Sequence, residues 1–99
     1  MLSFKITQKA EEDIFSAIEY IKNELFNLDG AKKLYTEIFA TIEKLTVFPY
    51  AYTVISRSKH EYRRAMVNNH KLIYYVEENT VVVVRLYAPR QLIEEGSNL

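Results

Sequence analysis

Four consecutive valines at positions 81–84 constrain the fold more than any other stretch of the chain. β-Branched residues favour strands, and successive side chains of a strand point to opposite faces of its sheet. A strand of four valines is therefore apolar on both faces, which predicts an interior position in a sheet that needs cover on each side. Arg85, Tyr87 and Arg90 follow directly, so the same rigid strand should hold cationic and phenolic groups at its end.

The length and the residue types exclude several classes of protein. A chain of 99 residues suits one domain over residues 1–99 with a single core. Cysteine is absent, which excludes disulfides and thiolate metal sites. The two histidines, His60 and His70, have no acidic partners at ligand spacing, and we expect no metal and no cofactor. No apolar run reaches the ~20 residues that span a bilayer, which predicts a soluble, cytoplasmic protein without a membrane partner.

The charges are unevenly distributed, although the net charge is zero. Residues 1–50 carry six lysines and eight acidic side chains, whereas residues 51–99 carry seven cations and five acids. All five arginines lie after residue 56. Guanidinium binds carboxylates and phosphates in a planar fork, which indicates an anionic partner for this half. Arginines that serve packing and solubility in a strand-rich half explain the same distribution, and both explanations stay open at this point.

The first half of the chain predicts a strand and two amphipathic helices. Apolar residues alternate over residues 2–6 and then recur at helical spacing over 7–26 and 31–48. Thr7 is the expected N-cap of the first helix and Asp29 that of the second, which ends at Pro49. The acidic side chains at 11–13 complement the helix dipole and are not site candidates. The short break between the helices predicts an antiparallel hairpin.

The second half predicts strands over 63–67, 70–76 and 81–87, and it indicates a further short strand at 53–56. Asn68 and Asn69 suit the left-handed geometry of a tight hairpin turn. Consecutive strands with short turns give an antiparallel meander. The predicted fold class is α+β, a two-layer sandwich of an N-terminal strand, a helical hairpin and a three-stranded antiparallel meander. Because the helices cover one face, we expect the valine strand to leave apolar surface on the other face for a partner.

Cationic and phenolic side chains of the predicted sheet are the candidate functional residues. Such groups bind phosphates or acidic peptides, and tyrosine suits stacking and protein interfaces. For Tyr74 and Tyr75 an ordinary place in the core and rim of the sheet is favoured over a functional role, whereas for Arg63 and Arg90 a functional role is favoured. The candidates for phosphate chemistry are Arg63, Lys71, Tyr87 and Arg90, and the candidates for binding a protein partner are Arg63, Tyr74, Arg85 and Arg90.

Residues 4 to about 91 resemble the RelE/ParE superfamily of toxins from bacterial type II toxin–antitoxin modules. In the strands, "YRRAMVNNHKLIYYV" resembles the arginine-bearing strand, turn and following strand of the family, and "RLYAPRQ" resembles its closing segment. The two long helices and the "TVFP" that closes them are more similar to the ParE branch than to the nucleases. In the helices the matching residues are Ala10, Asp13, Tyr20, Ile21, Ala31, Leu45 and Pro49.

The chain departs from the family pattern in its closing segment. Tyr87 stands where the family usually has histidine, Gln91 replaces the usual acid, and Pro89 stiffens the segment between them. When Arg90 is aligned, Arg85 falls one residue from the usual arginine of the last strand. The resemblance therefore implies functional roles for Arg63 and Arg90 more directly than for Arg85.

The resemblance implies one of three functions. ParE-like members poison DNA gyrase, RelE-like members cut messenger RNA on the ribosome, and a degenerate member would only bind its antitoxin. Cleavage of RNA needs a base, an acid and cations around the phosphate; here Tyr87 would be the base or acid, and Arg63, Lys71 and Arg90 the cations. The neutral net charge is unlike that of ribosomal RNA binders. We therefore predict a toxin that acts on DNA gyrase and is not an enzyme, with an mRNA interferase as the alternative.

The resemblance also implies a cognate antitoxin encoded beside the gene and a toxin–antitoxin hetero-oligomer. The C-terminal segment of such an antitoxin is expected to wrap the toxin. An amphipathic, acidic segment laid across the apolar sheet face would neutralise Arg63 or Arg90 with a carboxylate.

Overall fold

The computed structural model describes residues 1–91, and these form one sheet with a helical layer on one face. The order of elements follows the prediction, and the short strand indicated near residue 53 is present. The elements are β1 (Ser3–Ile6), α1 (Gln8–Glu19), a π-helical turn (Tyr20–Glu24), α2 (Leu28–Val47), β2 (Thr53–Arg57), β3 (Glu61–Val67), β4 (His70–Glu77) and β5 (Thr80–Tyr87).

The sheet has five strands in the order β1-β5-β4-β3-β2. Strands β2 to β5 pair antiparallel with their sequence neighbours, so the meander has four strands where the sequence predicted three. Strand β1 pairs parallel with β5, because the helical hairpin carries the chain across one face of the sheet before the meander begins. The predicted α+β sandwich is confirmed, and β5 lies inside the sheet between β1 and β4 as its valines require.

Two-residue turns fix the register of the last three strands. Asn68 and Asn69 have φ values of 47° and 66°, and Glu78 and Asn79 have 50° and 60°. Two consecutive left-handed residues give the type I′ turn, whose twist matches that of the flanking strands. The turn predicted at the asparagine pair is confirmed.

Side-chain caps define where the two helices begin. Thr7 is the N-cap of α1, as predicted, and its side chain accepts a hydrogen bond from the backbone N–H of Ala10 at 3.2 Å. The prediction of Asp29 as the second cap is wrong: the Asn27 side chain accepts from the N–H of Gly30 at 2.9 Å, and Asp29 lies in the first turn. Gly30 permits this cap because a Cβ at that position would collide with the Asn27 side chain.

The main core lies between the helices and the sheet. The buried stripe of α2 packs on one face of β3, β4 and β5, and α1 adds its own buried residues beside β5. Alternation along β5 sends every second apolar side chain into this layer. The buried helix residues of this core are Ala10, Ile14, Leu34, Ile38, Ile42 and Leu45, and the buried strand residues are Ala65, Val67, Leu72, Tyr74, Val81, Val83 and Leu86.

The sheet face away from the helices, called here the open face, has cover of its own. Val82 and Val84 are buried there by a second cluster that includes Ile73, Tyr62 and Tyr87. The rings of His60 and Tyr75 stack at 3.7 Å above this cluster. The expectation that the valine strand leaves bare apolar surface is therefore wrong, because aromatic side chains of the neighbouring strands already remove the valines from water.

The end of β5 is joined to the first helix by Asp13. Strand β1 ends at Ile6, so beyond it the outer edge of β5 needs other hydrogen-bond partners. Asp13 Oδ2 accepts from the backbone N–H of Leu86 at 3.0 Å and from Nε of Arg85 at 2.6 Å. Both side chains of the ion pair are mostly buried. The helix dipole, which explained the acidic residues from sequence, does not account for this contact across 72 positions.

We expect Asp13→Asn to lower the free energy of unfolding by about 2 kcal/mol, because it leaves the partly buried Arg85 guanidinium without its counter-charge. Glu12→Gln is the matched control, since Glu12 is exposed one residue earlier and should change stability by less than about 0.5 kcal/mol. Urea denaturation of both variants measures the difference. Equal midpoints for the two variants would contradict the role given to Asp13.

Candidate functional site

Arg63 lies on the helix-covered face of the sheet, where it fixes the connection between α2 and β2. Its Nη1 donates to the backbone carbonyls of Tyr50 at 3.2 Å and Tyr52 at 2.7 Å. Its Nη2 forms an ion pair with Glu61 at 2.6 Å, and the Arg63 side chain is only 14% exposed. Hydrogen bonds from Arg57 and Arg63 lower the pKa of Glu61. The guanidinium is thus held by groups of its own chain.

Tyr74 is a core residue. It pairs with Arg63 across β3 and β4, is 0% exposed, and donates its hydroxyl to the carbonyl of Pro49 at 2.6 Å. Burial raises the pKa of Tyr74 to about 12. The structure corrects its placement on a partner surface, because a side chain with no exposed area cannot contact a partner.

Arg85 and Tyr87 lie together at the end of β5. The β4–β5 register shifts at Val84, which leaves that residue without a partner in β4, and such bulges redirect neighbouring side chains. The Arg85 guanidinium lies over the Tyr87 ring at 4.7 Å and donates to the Asp13 carboxylate, and this hydrogen bond raises the pKa of Arg85. Tyr87 is 4% exposed. Most of the phenol therefore packs in the second cluster.

Lys71 and Arg90 occupy the same corner of the molecule. Lys71 pairs with Tyr87 across β4 and β5, so the two side chains share the open face. Lys71 Nζ donates to the backbone carbonyl of Gln91 at 2.7 Å, which fixes the segment after β5 beside β4. Arg90 precedes Gln91 and is exposed.

The sequence-predicted site residues are thus divided between two faces. Lys71, Arg85 and Tyr87 share the open face, whereas Arg63 and Tyr74 lie on the helix-covered face. The cation that completes the open-face set is Arg64, which pairs with Ile73. Alternation along β3 contained the signal, because neighbouring residues of a strand must face opposite ways; with two adjacent arginines, the sequence alone did not show which of them shares a face with Lys71 and Tyr87.

A second surface, which sequence reasoning missed, lies on the helical hairpin. Two adjoining cavities of about 470 and 330 Å³ share Ile18, Glu19 and Tyr35 as lining residues. They form one groove, called here the hairpin groove, along the seam of α1 and α2. Its apolar lining includes side chains that are strongly exposed for their size. These are Phe15 at 66%, Tyr35 at 55% and Leu28 at 51%, and the ring of the partly buried Phe39 lies tilted against that of Tyr35 at 4.9 Å.

The charges around the hairpin groove are ordered along its length. Lys22 and Lys32 line one cavity, whereas Glu11 lines the other. Glu19 borders both cavities and binds the side-chain amide of Asn23. The signal in the sequence was the set of large apolar residues that lie outside the buried stripe of each helix.

Neither a metal-binding cluster nor a membrane-spanning helix is present among residues 1–91. No cluster of three or more His, Cys, Asp or Glu side chains in this part of the chain is arranged to hold a metal ion. Among the helices described over the same residues, none is long and apolar enough to cross a bilayer.

Comparison with known proteins identifies relatives of the chain. A family model for the ParE toxin of the type II toxin–antitoxin system parDE matches residues 4–92. No curated protein sequence matches. A similar solved structure is a chain of the chromosomal ParDE toxin–antitoxin system from P. aeruginosa, with a TM-score of 0.72 and 19% sequence identity. The match covers 88% of this chain and 95% of that chain, and at this identity it shows a shared fold.

Proposed function

This chain belongs to the ParE toxin family of type II toxin–antitoxin systems, and on that premise we propose that it poisons DNA gyrase and is neutralised by an antitoxin bound in the hairpin groove. Family membership implies a cognate antitoxin as partner. The toxin acts in the cytoplasm and is stored there as a toxin–antitoxin hetero-oligomer. The exposed apolar groove is the observation that carries this proposal, because soluble proteins rarely leave such a surface uncovered.

The groove suits an amphipathic helix of the antitoxin. Helices bind in grooves through apolar residues at i, i+3, i+4 and i+7, and Phe15, Tyr35 and Leu28 offer aromatic and aliphatic contacts along the seam. The positions of Lys22 and Lys32 predict acidic residues at one end of that antitoxin helix, and the position of Glu11 predicts a cationic residue at the other end. Charge complementarity of this kind selects both the partner and its direction in the groove.

Of the arginines predicted from sequence, Arg90 is the one that suits a secondary contact with the antitoxin. Arg90 is exposed and available to a carboxylate. Arg63 already holds Glu61 and two backbone carbonyls, so a partner would have to compete with these bonds. We therefore assign the main antitoxin contact to the groove and a peripheral one to Arg90.

Gyrase is favoured over the ribosome as the target. The matched family is that of the ParE toxin, and the resemblance to ParE-like members implies action on gyrase. The open face also offers little for proton transfer, because the Tyr87 phenol is 4% exposed and the Arg85 guanidinium lies over its ring. A general acid or base must come within hydrogen-bond reach of the reacting group, which a phenol in this position does not do.

We expect the purified toxin to inhibit DNA supercoiling by gyrase or to trap cleaved DNA on it, and to leave messenger RNA on ribosomes intact. The supercoiling reaction with increasing toxin measures the first effect, and toeprinting of translating ribosomes measures the second. Heat-denatured toxin is the control for both. Ribosome-dependent cuts that disappear with Tyr87→Phe or Arg90→Ala, together with unaffected gyrase, would reverse the choice of target.

We expect Phe15→Ala and Tyr35→Ala each to weaken antitoxin binding by about 2 kcal/mol, roughly 30-fold, because buried aromatic anchors dominate interfaces. Titration calorimetry with the antitoxin encoded beside the gene provides the affinity. Met66→Ala is the matched control, since Met66 is 53% exposed but lies on the open face, and its affinity should equal that of the wild type.

The same titration distinguishes antitoxin binding in the hairpin groove from antitoxin binding at the arginines. Arg90→Ala should reduce affinity less than either aromatic substitution, since exposed ion pairs contribute little. Unchanged binding by the Phe15 and Tyr35 variants, with a large loss in Arg63→Ala or Arg90→Ala, would place the antitoxin on the sheet instead.

A further inference from the structure

One corner of the open face concentrates cationic side chains. Arg64 pairs with Ile73 on β4, and Lys71 lies two residues before Ile73 on the same strand. Diagonal neighbours of this kind are about 7–8 Å apart. Arg90 follows β5 at the same end and is exposed. These three residues, Arg64, Lys71 and Arg90, are called here the cationic corner.

The charges of the cationic corner are not neutralised by carboxylates within residues 1–91. No ion pair in this part of the chain includes Arg64, Lys71 or Arg90. Within residues 1–91 the partner of the Lys71 ammonium group is a backbone carbonyl, that of Gln91, which carries no full charge to compensate that of the ammonium. Residues 62–91 carry five lysines and arginines and two acidic side chains, so this cationic region exists in a chain of zero net charge.

Two neighbouring arginines, Arg63 and Arg85, differ from the residues of the cationic corner because each has a carboxylate partner. Arg85 is paired with Asp13 and Arg63 with Glu61, so both charges are satisfied and serve the fold. Arg64 and Lys71 sit at partly exposed positions of paired strands. Two cations on neighbouring strands of a rigid sheet, without carboxylate partners in the described part of the chain, form a surface that suits a linear array of negative charges.

We propose that the cationic corner binds the phosphodiester backbone of duplex DNA. Contacts to phosphates position a protein on the duplex without reading its bases, and Arg64, Lys71 and Arg90 supply cations for such contacts. Binding is independent of sequence and weakens with salt, because each contact releases counterions from the duplex. The biological setting rests on the proposed function: gyrase holds a DNA duplex, and this corner lets the toxin contact that duplex while other surfaces contact the enzyme.

Binding to a short fluorescent duplex, followed by anisotropy at several salt concentrations without gyrase, tests the proposal. The wild-type toxin should bind, and Arg64→Gln and Lys71→Gln should each weaken binding and reduce the slope of log K against log salt by about one. Lys33→Gln is the matched control, since Lys33 on α2 is exposed and the substitution removes the same charge. Identical curves for all three variants would overturn the proposal.

Two further measurements distinguish a loss of charge from misfolding, and duplex DNA from RNA. Arg64→Lys and Lys71→Arg retain the charge and should restore the salt slope, which a loss caused by misfolding would not allow. A single-stranded RNA of equal length tests the other source of phosphates. Tighter binding of RNA than of the duplex, with the Arg64 and Lys71 effects confined to RNA, would overturn the assignment to DNA.

The gyrase assay separates this proposal from the function on which it rests. Gyrase inhibition without any binding of free duplex by the toxin would overturn the cationic corner alone. Duplex binding that depends on Arg64 and Lys71, with gyrase unaffected, would support the corner and overturn the gyrase target.

Discussion

The burial of residues 81–84 on both faces of β5 is the constraint on which the rest of the structure depends. One face receives the helical layer, led by the buried stripe of α2. The other face receives Tyr62 and Ile73, with the stacked rings of His60 and Tyr75 above them. Because both faces of the strand are covered by the chain itself, the sheet offers no bare apolar surface at the valines. The apolar surface available to a partner lies instead on the outside of the helical hairpin, among residues that the core does not use.

The contacts that complete the sheet around β5 also determine which cationic side chains have carboxylate partners within residues 1–91. The outer edge of β5 beyond Ile6 needs hydrogen-bond partners, and Asp13 supplies one to Leu86 while it binds Arg85. Arg63 has a comparable task, since it binds the carbonyls that lead from α2 into β2. Both arginines therefore stabilise the fold through contacts with groups of the same chain. The toxin thus has two chemically different surfaces on opposite sides: an apolar groove with ordered charges on the helices, and a cationic corner on the sheet.

The fold was largely predictable from the sequence, because periodicity reports which side of an element faces the core. The helices, the asparagine turn, the Thr7 cap and the interior position of β5 all follow from local patterns. The functional surfaces were less predictable. Whether Arg63 or Arg64 shares a face with Lys71 depends on the register of β3 against β4, and the pairing of Asp13 with Arg85 joins residues 72 positions apart. The groove depends on the way α1 and α2 pack together, for which Phe15 and Tyr35 gave only an indirect signal.

Site-specific alkylation tests most directly whether the antitoxin covers the helices and leaves the sheet open. The chain contains no cysteine, so Thr36→Cys at the groove and Met66→Cys on the open face each introduce one reactive thiol. Both positions are exposed in the toxin, and alkylation rates are measured with and without saturating antitoxin. Strong protection of position 36 with an unchanged rate at position 66 is the predicted result. Protection of position 66 alone would contradict the account, because it would place the antitoxin on the open face of the sheet.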